Sequence, residues 1–455
     1  MIGAYYHDTI AAISTPHGSG AISIVRVSGD NLGLLSDTLF KKRIPVRKPV
    51  TAHVYDEDNI IDSVIVLFFR APHSYTGEDI IEIHCHGGLI VTHMVLDVCL
   101  RAGSRLADPG EFTLRSYYNN KMDLAQAEAI SDIINAQSEA MVRAAAKNIA
   151  GLFTQLIKNI KEQLIYVRTY TEALIDFPEE DITFPEAETK LLSCVTKIEA
   201  DVMHIVEQTG NNNILNSGPR VVIIGNVNAG KSSLINAILR TNRSIVSNIA
   251  GTTRDTIEER LTLGSNTISL IDTAGLNENS TDAIEQMGIE KSFQEIAKAH
   301  IILVVIDITD SPVEACISLM DKLSDKNIII VLNKVDRLCD TEIELVVGAL
   351  TKVTNFTIVT VSTIDCRGLK KLRCEIQKNL SEKRLMDCTL YINKRHESNI
   401  YKALSHITSA KNEIHRLEIF ADELRLATKS LEEIIGTVSD DHILTEIFSK
   451  FCIGK

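Results

Sequence analysis

Apolar residues recur along this chain with two different periods. From Ile149 they fall three or four positions apart, at Phe153, Leu156, Ile160, Leu164 and Val167, one apolar stripe on a helix. Pro178, in Asp176-Phe-Pro-Glu-Glu-Asp181, stops it by removing a backbone donor and crowding the preceding turn. Leu192, Val195, Ile198, Val202 and Ile205 predict a further helix. Beyond about residue 378 the pattern resumes, with Ile400, Leu404, Ile407, Ile414, Leu417, Ala421, Leu424 and Leu431 at near-heptad steps. Such stripes read as helix-on-helix core, with a partner-binding groove as the alternative.

Shorter apolar runs closed by turn residues read as strands. Near the N-terminus these are Ala21-Ile-Ser-Ile-Val-Arg-Val27, Ser63-Val-Ile-Val-Leu-Phe-Phe69 and Ile80-Ile-Glu-Ile-His84. A helix from about Leu89 to Arg101 follows, and turns fall at Thr15-Pro-His-Gly-Ser-Gly20 and Asp108-Pro-Gly110. A second set comprises Val221-Val-Ile-Ile224, Ile268-Ser-Leu-Ile271, Ile328-Ile-Ile-Val-Leu332 and Ile358-Val-Thr-Val361. The expected fold class is multidomain, α/β with all-α parts: a mixed α/β domain over 1–119, helices over 120–216, an α/β domain over 217–377 and helices again over 378–455. Thr209-Gly-Asn-Asn-Asn213 reads as a linker. The flanking helices would form one bundle, with the second α/β domain inserted into it through two neighbouring ends.

That inserted domain opens on Gly225-Asn-Val-Asn-Ala-Gly-Lys-Ser-Ser233, between the strand at Val221 and a helical Leu234-Ile-Asn-Ala-Ile-Leu239. Strand, G-x-x-x-x-G-K-S, helix is the context of a phosphate-binding P-loop. Gly225 and Gly230 let successive N–H groups turn inward on an anion, and the helix N-terminus adds partial positive charge. Asn228, Ala229, Gly230, Lys231, Ser232 and Ser233 would then cradle the phosphates, with Lys231 on the β- and γ-phosphates and Ser232 on Mg²⁺. Three later strand ends carry matching chemistry. Asp272, Thr273, Ala274 and Gly275 offer a carboxylate for Mg²⁺ and an N–H for a γ-phosphate. Asn333, Lys334 and Asp336 place a carboxylate that can accept from both the N1–H and the 2-amino group of guanine, while Ser362 stands where a loop would back the base. Together, each after a strand, they predict a guanine-nucleotide domain whose ligand lies outside the strands' carboxyl ends.

At 455 residues, with 45% apolar and 24% charged side chains, the chain can bury several cores. No apolar run approaches the roughly 20 residues of a membrane span, and the first residues lack a secretory pattern. Nine dispersed cysteines fit free thiols in a reducing cytoplasm. A formal net charge of −13 argues against indiscriminate nucleic-acid binding and leaves room for RNA met through a local patch or a partner protein. His84 and His86 share one strand face and suggest either a metal site or a hydrogen-bonded pair near a turn.

Further motifs span the chain: Ser74-Tyr-Thr-Gly-Glu-Asp79, His86-Gly-Gly88, Pro109-Gly-Glu-Phe112, Lys121-Met-Asp-Leu-Ala-Gln-Ala-Glu-Ala129, Asn228-Ala-Gly-Lys-Ser-Ser233, Ile249-Ala-Gly-Thr-Thr-Arg-Asp255, Gly288-Ile-Glu290 and Phe451-Cys-Ile-Gly-Lys455. In these the chain resembles the MnmE (TrmE) family of tRNA-modification GTPases over its full length. Val227 departs from the family, which usually has Pro there, and no phosphate ligand is lost by the change.

The resemblance implies a folate-binding, homodimerising N-terminal domain, a helical domain and an inserted Ras-like GTPase domain in the cytoplasm. It implies a flavoprotein partner, MnmG, in a heterotetramer, and an aminomethyl-type (carboxymethylaminomethyl) group built at carbon 5 of the wobble uridine of certain tRNAs. A 5-formyl- or methylene-tetrahydrofolate would supply the one-carbon unit, with Arg26, Glu82 and Lys121 as contacts and Lys455 reaching the same pocket. By the same resemblance Ser247, Asn248, Ile249, Ala250, Gly251, Thr252 and Thr253 line the GTP site, Thr253 joins Ser232 on Mg²⁺, and Asn228, Ser247, Ile249 and Thr252 hold a K⁺ ion. Such a cation can neutralise charge on the transferring phosphoryl group. The residue after Gly275 is Leu276, which cannot orient an attacking water, and the family motif gives that task to Glu285. Glu285 otherwise reads as the acid that starts the next helix. Cys452 sits in a poor match to a prenylation box, so it reads as a buried structural thiol or as a thiol contributing to the modification. A GTPase acting in ribosome assembly shares the nucleotide motifs, but such factors append a basic RNA-binding module, and the appended parts here are acidic overall.

Overall fold

The computed structural model describes residues 8–30, 32–136, 138–176, 184–209, 219–226, 228–240, 258–263, 266–272, 296, 299–310, 312–314, 327–382, 390–436 and 441–455. The chain forms two compact units. The first holds Met1–Ile134, Ala145–Val206 and Lys394–Lys455, and the second holds Asn135–Ala144 and Glu207–Asn393.

Six strands of the first unit make one sheet: β1 (Ile10–Ile13), β2 (Ile22–Gly29), β3 (Val50–Asp56), β4 (Asn59–Phe69), β5 (Asp79–His86) and β6 (Arg105–Leu106), in the order β3-β4-β5-β2-β1-β6. Every pairing is antiparallel except β1 with β6. Alternation decides the faces. Val25, Val27, Ile81, Ile83, Val64 and Val66 point to one side, where they are covered by Leu35, Leu39 and Phe40 of the helix Gly33–Phe40 and by Val95, Leu96 and Cys99 of the helix Leu89–Arg101. The intervening residues of β2 and β5 turn to the other face, and in register there Arg26 stands opposite Glu82 and Ile24 opposite His84.

The helices of this unit pack as the stripes require, with the apolar face rotated by one position in two of them. Phe153, Ile157, Ile160, Leu164 and Val167 are buried on the helix Leu152–Asp176, while Leu156 is exposed. On the helix Phe184–Thr209 the buried line runs Ala187, Leu191, Val195, Ile198, Val202 and Ile205, and Leu192 is exposed. The helices Lys394–Asn412 and Leu417–Ile435 bury Ile400, Ile407, Leu424 and Leu431. A charged knot ties this bundle. Glu128 accepts from Arg395 Nε at 2.9 Å and from His396, and Arg395 also donates to the carbonyls of Glu433 and Ile434 at the end of the adjoining helix. Burial pushes the Glu128 carboxyl up, but His396 and Arg395 outweigh it and hold its pKa at about 2. One turn on, burial and the Glu128 charge push Asp132 up to about 7.

The second unit holds β7 (Arg220–Ile224), β8 (Glu258–Leu263), β9 (Asn266–Asp272), β10 (Ile301–Asp307), β11 (Ile328–Asn333) and β12 (Thr357–Thr360), ordered β12-β11-β10-β7-β9-β8. All neighbours are parallel except β8 with β9. The sheet is buried on both faces, which is why these strands read as unbroken apolar runs. Val221, Ile223, Leu303 and Val305 pack on Leu234, Ile238, Leu372 and Ile376, while Val222, Ile302, Val304 and Ile330 pack on the opposite side with Leu350. Parallel strands place their carboxyl ends together, so the loops after β7, β10, β11 and β12 share one edge.

Candidate functional site

Two sites emerge, one in each unit. In the second unit the loop after β7 is shaped by its glycines. Gly225 has φ 152, and a Cβ there would lie 2.1 Å from the Val305 carbonyl oxygen. Gly230 has φ 91, and a Cβ there would lie 2.3 Å from Asn333 Nδ2. Neither position tolerates a side chain. Asn228 between them also takes a left-handed backbone, φ 66. Lys231, nearly buried, turns its ammonium onto the carbonyls of Gly225 at 2.8 Å and Asn226 at 3.0 Å. Ser232 and Ser233 are exposed in the first turn of the helix Lys231–Arg240.

The loop after β11 is bolted to this one. Asn333 Nδ2 donates to the Ala229 carbonyl at 2.9 Å, and Lys334 Nζ donates to the Asn228 carbonyl at 2.7 Å. Lys334 itself has φ 64. Its ammonium also meets Asp307 Oδ2 at 2.6 Å, at the end of β10. Burial raises the Asp307 carboxyl, yet the bonds from Lys334 and Thr309 outweigh it and keep its pKa below the ordinary aspartate value. Ser362, fully buried after β12, donates from Oγ to Asp336 Oδ1 at 2.7 Å. The other oxygen of Asp336 is thereby aimed rather than free to rotate. Asn333 Oδ1 is buried and has no hydrogen-bond partner among the described residues. A cradle that a Cβ would fill, an aimed carboxylate and an orphaned buried acceptor fit a bound nucleotide. The structure thus brings together Asn228, Ala229, Gly230, Lys231, Ser232, Ser233, Asn333, Lys334, Asp336 and Ser362. Asp272 closes β9, opposite Ile223. Ser247 to Thr253, Thr273 to Gly275, and Glu285 lie outside the described residues.

In the first unit Arg26 gives two hydrogen bonds to Glu82 Oε1, from Nη2 at 2.8 Å and from Nε at 3.1 Å. Its guanidinium lies over the rings of Tyr75 at 5.3 Å and Phe112 at 5.7 Å. The segment Phe451–Lys455 closes on the same place. Phe112 N–H donates to the Lys455 carbonyl at 3.2 Å, Gly110 N–H donates to the Cys452 carbonyl at 3.4 Å, and Ser14 Oγ donates to the Gly454 carbonyl at 3.1 Å. Burial and the nearby Arg26 charge lower the pKa of Lys455. Arg26 therefore lies between its carboxylate partner, Glu82, and a second cation, Lys455, that feels its charge, and Glu82 Oε2 takes no hydrogen bond among the described residues. That set fits a flat heterocycle with N–H donors and an anionic tail. Lys121 is placed differently, with Nζ on the Pro72 carbonyl at 2.9 Å, against the loop that carries Tyr75. Behind this wall Arg115, 2% exposed, binds Asp8, Glu78 and Glu111, tying the loop that bears Tyr75 to the helix Glu111–Tyr118 that bears Phe112.

Three readings of the sequence change here. His86 pairs through Nδ1 with Asp62 at 2.7 Å rather than with His84, whose Nε2 lies 3.7 Å from Glu82 Oε2. Among the described residues no group of His, Cys, Asp and Glu could hold a metal ion. Cys452 is exposed, so it is not a buried structural thiol. The sequence reading missed Asp307, although it closes the apolar run from Ile301 as Asp272 closes another. It also gave no role to Tyr75 and Phe112, whose motifs it had singled out.

Family models match as the MnmE helical domain over residues 124–452 and as the GTP-binding protein TrmE N-terminus over residues 9–121. The tRNA modification GTPase MnmE of Francisella tularensis subsp. holarctica is 39% identical over 461 residues, covering 99% of this chain and 100% of its own length. That of Francisella philomiragia is 38% identical over 462 residues with the same coverage. Among solved structures, a point variant of Aquifex aeolicus Era bound to GDP and AlF4− aligns with 35% of this chain and 56% of its own at 28% identity and a TM-score of 0.31. The G domain of the T. maritima FeoB iron transporter aligns with 36% of this chain and 98% of its own at 24% identity and a TM-score of 0.28.

Proposed function

Because the chain belongs to the MnmE family of tRNA modification GTPases, we propose that it uses GTP hydrolysis to drive the building of an aminomethyl-type group on carbon 5 of the wobble uridine of its tRNA substrates. The observation that carries the nucleotide part is the triangle of Asn333 on Ala229, Lys334 on Asn228 and Ser362 on Asp336. The first two bonds join the P-loop to the base-reading loop and the third orients the Asp336 carboxylate, so that phosphate and guanine fall to one edge. In this reading Lys231 leaves the loop carbonyls for the phosphates, and Ser232 and Thr253 hold Mg²⁺. Asn228, with Ser247, Ile249 and Thr252, holds K⁺. Bound cations of this kind offset charge developing on the phosphoryl group. Glu285 positions the attacking water.

The first unit supplies the carbon. Glu82 accepts from the heterocycle of a tetrahydrofolate, while Arg26 and Lys455, with Lys121 on the adjoining loop, receive its carboxylates. In this reading Cys452, exposed within the segment that closes that pocket, takes part in the modification. The protein works as a cytoplasmic homodimer with the flavoprotein MnmG. The test begins with the base. Asp336→Asn replaces an acceptor with a partial donor, so GTP affinity should fall at least tenfold and xanthosine triphosphate affinity should rise, since a charged hydrogen bond is worth roughly 1.5–3 kcal/mol. Unchanged affinities for both nucleotides would refute the assignment of the base-reading edge.

A further inference from the structure

We propose that the loop from Lys41 to Lys48 is a phosphate-contacting surface for the RNA substrate, an inference that rests on the tRNA-modification reading. The run Lys41-Lys-Arg-Ile-Pro-Val-Arg-Lys48 carries five cations and no acid in eight residues, and no other window of that length in the chain holds five. The whole molecule, at a formal net charge of −13, repels a polyanion at long range. RNA must therefore be drawn by a local field, within a Debye length of about 10 Å at ordinary salt.

The loop is built to present these charges. Ile44 at its centre is buried, Val46 bridges to Phe68, and the Arg47 N–H donates to the Phe68 carbonyl at 2.7 Å. Lys41 is neutralised by Asp58 at 2.8 Å. The others are not. Lys42 donates to the Thr51 carbonyl, Arg47 Nη2 donates to the His73 carbonyl at 3.0 Å, and Arg43 and Lys48 have no carboxylate partner among the described residues. A carbonyl orients a cation without cancelling its charge. Lys42, Arg43, Arg47 and Lys48 are all exposed, as is Arg70 next to the strand that Arg47 pairs with.

Position gives the loop its use. The carbonyl that Arg47 holds belongs to His73, two residues before Tyr75, whose ring lies under Arg26. One short segment is thus both the wall of the candidate folate pocket and the support of the cationic loop. A base delivered to a one-carbon donor in that pocket leaves the stack, and its flanking phosphates must pass this wall. Phosphate contacts of this kind fix register and orientation without reading sequence.

The test uses the full-length chain and an unmodified tRNA transcript, with binding followed by fluorescence anisotropy between 50 and 300 mM KCl. Arg47 is left in place because it holds His73. In the triple variant Lys42→Ala, Arg43→Ala, Lys48→Ala, three lost phosphate contacts should lower the slope of log affinity against log salt by about 2. Affinity near 0.1 M salt should fall at least tenfold. GTP hydrolysis and 5-formyltetrahydrofolate binding, measured on the same preparations, should stay native; their absence in the unmodified protein would count against the parent reading alone. An unchanged salt slope, or no binding of the transcript by the unmodified protein, overturns the proposal. If the triple variant melts early, Arg43→Glu and Lys48→Glu singly must each reduce tRNA affinity, and native affinity in both overturns it equally.

Discussion

At the scale of single residues, Arg26 shows how a side chain is held ready. Its guanidinium has aromatic rings beneath it and Glu82 at its edge, so it loses little freedom when an anion arrives. Arg26→Ala should weaken 5-formyltetrahydrofolate binding at least tenfold and leave GTP binding unchanged, because a charge-assisted contact is worth roughly 1.5–3 kcal/mol. Calorimetry returning native folate affinity would remove Arg26 from the pocket. The motifs around Arg26 and Glu82 were legible in the sequence, but the stacking on Phe112 was not, since it joins residues far apart on different elements. Asp132 was equally silent, an ordinary acid on a helix. Its folded pKa of about 7 lies above the usual value, chiefly through burial. The folded state therefore holds a proton that the unfolded chain has released, and Asp132 costs stability increasingly as pH rises from about 4 to 7. Asp132→Asn should accordingly raise the melting temperature more at pH 8 than at pH 5; an equal gain at both would show that the carboxyl ionises normally.

At the scale of elements, the nucleotide edge works because β7, β10, β11 and β12 end together. Their unbroken apolar runs were readable, apart from β10, which went unassigned although Ile301 to Ile306 is as apolar as its neighbours. β1 and β6 are four and two residues long, too short for any alternation to declare itself. The missing strand matters, since it delivers Asp307. Lys334 bridges that carboxylate to the P-loop, and both Lys334 and the Asn228 it grips have left-handed backbones, a conformation that costs a non-glycine residue energy unless its surroundings hold it. Asp307→Asn keeps the shape and removes the charge that anchors the ammonium. GDP affinity should fall about tenfold, and the same substitution should cost almost nothing once Lys334 is already Ala. Additive losses in that double-mutant cycle would mean that Asp307 acts by some route other than Lys334.

At the scale of the whole molecule, the chain leaves the first unit after Val206 and returns at Lys394, so the P-loop edge and the pocket around Arg26 and Glu82 belong to separate compact units of one polypeptide. Glu285 is the residue proposed to position the attacking water. Glu285→Ala should bind GTP normally and lose hydrolysis by roughly 10²-fold, the scale of a positioned base. The native protein should hydrolyse faster in KCl than in NaCl, and single-turnover rates indifferent to both changes would return Glu285 to an ordinary helix start. The seating of Gly454 on Ser14 has a different consequence, one of timing. Those partners are 440 residues apart in the chain. At a synthesis rate of roughly 5–20 residues per second, the first strands wait on the order of 20 to 90 seconds for the segment that closes their pocket. A nascent chain can complete its nucleotide fold during that interval, but the pocket around Arg26 and Glu82 is closed only as that segment emerges. A chain cut before that segment would therefore keep the residues of its nucleotide edge and lose the carbonyls that Ser14, Gly110 and Phe112 hold.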